Sequence, residues 1–172
     1  MKSFSEYSAL IEKSLRELEF PQGVLSSLYD PISYALSAGG KRLRPALVLM
    51  TADAFGGDAT AAMRPAMGIE MYHNFTLLHD DVMDNSDTRR GRPSVHAKWD
   101  VNTAILSGDT MLTLATQLIS GVADEHLRKV LDAFNAMAIR VYEGQCLDMD
   151  FENREDVTID DYIRMIMDKT GA

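Results

Sequence analysis

Apolar residues at Tyr7, Leu10, Ile11, Leu15 and Leu18 recur three and four positions apart, the spacing of one helix face at about 100° per residue. The pattern predicts an amphipathic helix over residues 4–19, ended by Phe20-Pro21-Gln22-Gly23. Asp30 before Pro31 reads as an N-cap with proline in the first turn, and Gly39-Gly40 as the stop of that second helix. A third helix is expected from near Pro45 to Gly56-Gly57. Asp58 then caps a further segment that Pro65 restarts, and a long helix runs to about Asp84. Gly91 and Pro93 interrupt the chain. Asn102 or Thr103 opens an apolar helix to about Ser120, with Gly108 inside it, and Asp124 caps a long helix to about Asp150. Thr158 and Asp161 have the spacing of a capping box and start a last helix. No stretch alternates with period two, so the predicted class is all-α. Most of these helices are too apolar for a surface position, so at least one is expected in the middle of a bundle.

Composition narrows the reading. The 172 residues suffice for one domain that buries about 70% of its unfolded surface. With 46% apolar and 25% charged residues, the chain reads as globular. A net charge of −9 leaves no basic stripe for a nucleic acid backbone, although a small phosphate ligand needs only a local cluster. The single Cys146 cannot pair internally, which favours a reducing, cytoplasmic setting. No run is long and apolar enough to span a bilayer, and the polar N-terminus lacks the core of a secretion signal.

Two segments carry chemistry. In His73-Asn74-Phe75-Thr76-Leu77-Leu78-His79-Asp80-Asp81-Val82-Met83-Asp84, helical geometry brings His73, Asp80 and Asp84 within roughly 60° of one another. Carboxylates one turn apart repel, a cost that a hard divalent cation such as Mg²⁺ would remove. Arg89-Arg90 follows, suited to gripping phosphate oxygens in a fork. Alone, the stretch fits a metal–diphosphate site and an exposed charged helix end about equally well. The second segment is Gly39-Gly40-Lys41-Arg42-Leu43-Arg44-Pro45, a basic loop feeding a helix start, where free N–H groups favour an anion. Lys41 and Arg44 are spaced to grip one phosphate, and beside the acidic segment the pair describes two diphosphates with metal between them. His79 reads as a packing or capping residue, His96 and Trp99 as an interhelical contact, and Gly108-Asp109 as a close helix approach with a polar neighbour.

These residues resemble the trans-isoprenyl diphosphate synthases, or polyprenyl synthetases. The resemblance rests on Gly-Gly-Lys-Arg-Leu-Arg-Pro at 39–45, Asp-Asp-x-x-Asp at 80–84, Arg89-Arg90-Gly91, Gly144-Gln145-x-x-Asp148 and Lys169-Thr170. It implies an orthogonal, antiparallel helical bundle of the isoprenoid synthase type and a Mg²⁺-dependent condensation of isopentenyl diphosphate with an allylic diphosphate. It further implies that Asp80 and Asp84 bind Mg²⁺, with Asp81 a weaker candidate because helical spacing turns it away, and that Asp148 lies near the metals through water. Arg89 and Lys169 would act with Asp80 and Asp84 on the allylic diphosphate, with Gln145 and Thr170 beside it. Lys41, Arg44, His73 and Arg90 would hold isopentenyl diphosphate. Phe75 and Thr76 would bias the product toward C15–C20, with longer chains left open, and a homodimer is expected. The family's second Asp-rich motif is missing, and the last apolar helix stops abruptly at Lys169-Thr170-Gly171-Ala172. The expectation is therefore one polyprenyl synthetase domain over 1–172 lacking its C-terminal helices. A non-catalytic subunit of such a synthase, and more remotely a terpene cyclase fragment, are the competing readings.

Overall fold

A computed structural model describes residues 2–172. Among them are eight α-helices and one two-stranded hairpin. They form two compact units, the first ending at Val122 and the second spanning Ala123–Ala172.

In the first unit, α1 (Phe4–Arg16) is closed by a capping box between Ser3 and Glu6 and buries Tyr7, Ile11 and Leu15. The second helix departs from expectation. A 3₁₀ turn at Gly23–Leu25 leads directly into α2 (Ser26–Ser37), so Asp30 is not its cap and Pro31 lies inside it. Proline there removes one backbone donor and crowds the preceding turn. The helix persists because Pro31, Ile32, Ala35 and Leu36 are all buried. Burial of four side chains outweighs one missing hydrogen bond. α3 (Leu43–Ala54) starts two residues before Pro45, which occupies its first turn.

The central element is α4 (Met63–Met83). It buries Ala66, Met67, Gly68, Glu70, Met71, Tyr72, Asn74, Phe75, Leu78 and Asp81, positions that cover most of its circumference. This is the interior helix that the apolar pattern demands. After Asp84 comes a hairpin pairing Thr88–Arg89 with Arg92–Pro93, then α5 (Val95–Lys98) and α6 (Val101–Ile119), capped by Asp100. Two glycines let α4 and α6 approach closely and run antiparallel. A side chain at Gly68 would stand 2.8 Å from Cγ1 of Ile119, and one at Gly108 would overlap the His79 ring. His79 is thus the polar neighbour that Gly108 accommodates, and its Nε2 lies 3.1 Å from the Ile105 carbonyl. Trp99 meets the Tyr34 ring edge-on at 5.2 Å, joining the α5 end to α2.

The second unit holds α7 (Asp124–Phe151) and α8 (Ile159–Lys169), the latter capped by the expected Thr158–Asp161 box. At the N-terminus of α7, Asp124 is the first helical residue and Ala123 occupies the cap position. No helix among the described residues is long and apolar enough to cross a membrane.

Candidate diphosphate and metal site

Three pieces of the first unit carry the sequence-predicted residues: the 39–42 loop, the C-terminal half of α4, and the hairpin. In the loop, Gly39 and Gly40 take positive φ angles of 72° and 151°, and Arg42 takes φ 48° at the N-cap of α3. A left-handed residue other than glycine costs about 1 kcal/mol. Here the side chain offsets it. The Arg42 guanidinium is 1% exposed and donates from Nε to Glu12 at 2.6 Å, from Nη1 to Glu70 at 2.5 Å and from Nη2 to the Leu36 carbonyl at 2.9 Å. Burial opposes its charge, but the two carboxylates prevail and raise its pKa. Lys41 and Arg44, by contrast, are exposed.

His73 lies half-buried on α4, one turn after Glu70. Burial, followed by the charges of Arg44, Arg90, Arg89 and Arg42, pushes its pKa down to about 4. The imidazole is therefore neutral near pH 7. The same electrostatics identify a convergence: Arg44 from α3 and Arg89 and Arg90 from the hairpin all act on one histidine.

Asp80 and Asp84 stand one turn apart at the C-terminal end of α4, with Asp80 half-buried and Asp84 exposed as the C-cap. Helix C-termini carry partial negative charge, so acids there are destabilising by about 0.3–1 kcal/mol each. Asp81 is 3% exposed and accepts two bonds from Arg89, at 2.9 Å from Nε and 2.5 Å from Nη2. That bond raises the Arg89 pKa against the opposing effect of burial, with the charges of Asp81, Asp80 and Asp84 adding to it. The hairpin explains the aim of Arg89. Arg89 pairs with Arg92, and the two residues between them, Arg90 and Gly91, have φ angles of 53° and 75°. Two positive φ values define a type I′ turn, which closes two strands tightly. The tip places the Arg90 guanidinium against the loop: a side chain on Gly40 would come within 2.9 Å of its Nη1. Sequence reasoning read Gly91 and Pro93 only as interruptions. Arg90-Gly91 was the available signal.

Between α2, α4 and the hairpin lies a cleft of about 30 Å³ whose lining includes Tyr34, Asn74, Leu78, Asp81, Arg89 and Arg90. Phe75 is buried, its ring 5.6 Å from Tyr72 and 4.8 Å from His79. Thr76 is half-buried, and its hydroxyl donates to the His73 carbonyl at 2.8 Å. Among the described residues no group of three His, Cys, Asp or Glu side chains is gathered into a metal cage. Asp80 and Asp84 instead offer two hard oxygen donors, a set that fits Mg²⁺, which is commonly held by one or two carboxylates and completed by waters and phosphates.

In the second unit, Lys169 Nζ donates to Asp148 at 2.6 Å. Gly144 makes this possible, because any side chain there would overlap the backbone of Asp168 and Lys169. Gln145 is half-buried on α7, and Thr170 is the exposed C-cap of α8.

A family model described as polyprenyl synthetase matches residues 25–172. The chain belongs to the polyprenyl synthetase family. It is 42% identical to a geranylgeranyl diphosphate synthase of Methanosarcina mazei over 96% of this chain and 51% of that protein. It is 37% identical to a geranylfarnesyl diphosphate synthase of Natronomonas pharaonis over 99% of this chain and 55% of that protein. Among solved structures, a geranylgeranyl pyrophosphate synthase matches with a TM-score of 0.93 at 43% identity, covering 98% of this chain and 51% of its own. Another such synthetase, from Geoglobus acetivorans, has a TM-score of 0.93 at 36% identity over 99% of this chain and 56% of its own. The family and its all-α isoprenoid synthase fold thus agree with the reading from motifs. The chain spans about half the length of the curated relatives it matches.

Proposed function

We propose that this polyprenyl synthetase domain serves a prenyltransferase that joins isopentenyl diphosphate to an allylic diphosphate, forming a C15–C20 isoprenyl diphosphate with Mg²⁺. The observation that carries the proposal is the hairpin's placement of two arginines, Arg90 against the Gly40 loop and Arg89 on Asp81, beside a neutral His73 that lies about two and three turns before Asp80 and Asp84. An anionic ligand meeting arginines at one end and a cation held by acids at the other describes a diphosphate with its metal.

Asp80 and Asp84 would hold Mg²⁺, which neutralises charge on diphosphate oxygens as the allylic C–O bond breaks. Arg89, steadied by Asp81, meets the oxygens of the allylic diphosphate; in the second unit, Lys169, steadied by Asp148, is the cation that the family resemblance assigns to the allylic substrate. Asp148, Gln145 and Thr170, also of the second unit, are the residues that the family resemblance assigns to the metals and the allylic group. Lys41, Arg44 and Arg90 bind the diphosphate of isopentenyl diphosphate, and neutral His73 contributes a hydrogen bond without adding charge. The apolar faces near Phe75 and Thr76 keep water from the allylic cation and set the room for the growing chain. A cytoplasmic setting follows from the reducing conditions that an exposed Cys146 favours.

The test uses Asp80→Ala and Asp84→Ala. Each is expected to lower the rate of condensation of isopentenyl diphosphate with geranyl diphosphate at least about a hundredfold. Extraction of labelled prenyl product measures it. Turnover that survives both substitutions would exclude the metal role.

A further inference from the structure

Arg42 sits in the middle of the basic loop, yet it is buried while Lys41 and Arg44 are exposed. Its three bonds run to three separate helices: Glu12 on α1, the Leu36 carbonyl on α2, and Glu70 on α4. Glu70 is itself fixed, since Asn74 Nδ2 donates to its carboxylate at 3.2 Å and to its carbonyl at 2.8 Å. The backbone at Arg42 is left-handed, and that turn separates Lys41 from the start of α3, where Arg44 lies in the first turn. The fork presents its donors from three nitrogens spread across a rigid plane and so reaches three separated acceptors, whereas the three donors of a lysine ammonium all radiate from one atom. The anchor on α4 stands one turn before His73, so one side chain relates the loop cations to the helix that carries the histidine and the aspartates.

We infer that Arg42 is a positioning residue for the isopentenyl diphosphate subsite: its fork to Glu12, Leu36 and Glu70 locks the left-handed turn that aims Lys41 and Arg44 at the ligand. This rests on the function proposed above, because it presumes that Lys41 and Arg44 meet a diphosphate. The inference assigns Arg42 no contact with substrate. A salt bridge of this burial serves geometry better than stability, since desolvating its charges consumes much of their attraction.

The experiment titrates isopentenyl diphosphate and, separately, geranyl diphosphate with Mg²⁺ into four full chains: unaltered, Lys41→Ala, Arg42→Lys, and the pair Arg42→Met with Glu70→Gln. The pair removes both buried charges, so that neither is stranded. Backbone NMR shifts of residues 39–44 are recorded for each. We expect the paired variant and Lys41→Ala to bind isopentenyl diphosphate about 10- to 100-fold more weakly, with geranyl diphosphate affinity held within about twofold. The loop shifts should move in the Arg42 variants while those of α6 stay. If Lys41→Ala weakens binding and the paired variant binds like the unaltered chain, the positioning role is overturned. A weakening that strikes both ligands equally overturns it too, because a general loss of structure would do the same. Should the paired variant not fold, Arg42→Lys decides: unchanged loop shifts and affinity refute the inference. If Lys41→Ala itself has no effect, the diphosphate reading of the loop fails, while the loop shifts still report whether Arg42 sets the turn.

Discussion

His73 is the residue whose surroundings speak most directly about charge. Its pKa falls from an ordinary value of 6.5 to about 4, first through burial and then through the arginines around it. A depressed histidine pKa means that the unfolded chain takes up a proton more readily than the folded one. Stability is therefore unaffected above about pH 7, declines as pH falls through 6.5, and reaches its full loss below about pH 4. We expect the chain to lose about 2 kcal/mol more than His73→Gln between pH 7.5 and pH 4.5. Urea unfolding at the two pH values measures the difference, and equal losses would show that neither burial nor the arginines depress the His73 pKa. Arg42, a few ångströms of backbone from Lys41 and Arg44, shows the limit of residue-type reasoning. Its sequence neighbourhood reads as one more loop cation, whereas its partners Glu12 and Glu70 are distant in the chain and turn it inward.

Among the elements, the α7–α8 pair depends on a contact that no periodicity reveals. Gly144 brings the α7 backbone against Lys169, whose ammonium then reaches Asp148. A partly exposed ion pair of this kind is worth at most about 1 kcal/mol, so its part is to direct the lysine rather than to hold the helices together. Gly144→Ala is expected to destabilise the second unit by about 1–3 kcal/mol through overpacking against backbone that cannot yield. Thermal unfolding followed by circular dichroism checks the loss, and binding of geranyl diphosphate should weaken with it; an alanine variant as stable as the original would contradict the packing. Helix positions were legible where apolar spacing or a capping signal was strong, as in α1 and α8, whereas α4 and α6 have Ala62 and Asp100 at their N-caps rather than the residues expected there. Where a strong local signal met a stronger burial, the local signal lost. Asp30-Pro31 has the form of a helix start, but α2 begins a turn earlier because its apolar face is buried around the proline. The type I′ hairpin escaped notice because strands of two residues carry no period to read.

At the scale of the whole molecule, apolar patterning gives the helical class and the motifs give the family fold, and α4 is the pivot of the first unit, carrying His73, Asp80 and Asp81 on one rod with Asp84 as its C-cap. Two copies are expected to associate, and sedimentation equilibrium should return twice the mass of the chain; a monomer at micromolar concentration would refute the homodimer. The amino-acid sequence by itself determined the helical class, the need for an interior helix and the clustering of acids and bases on two segments, because helical period, capping and charge spacing are local properties. Only the tertiary structure decided which charges face a ligand and which serve the frame. Asp81 and Arg42 look like their neighbours in the sequence, but Arg89 claims the first, and Glu12, Leu36 and Glu70 claim the second. Those partners lie between 6 and 30 positions away, and a contact across such separations exists only once the helices have packed.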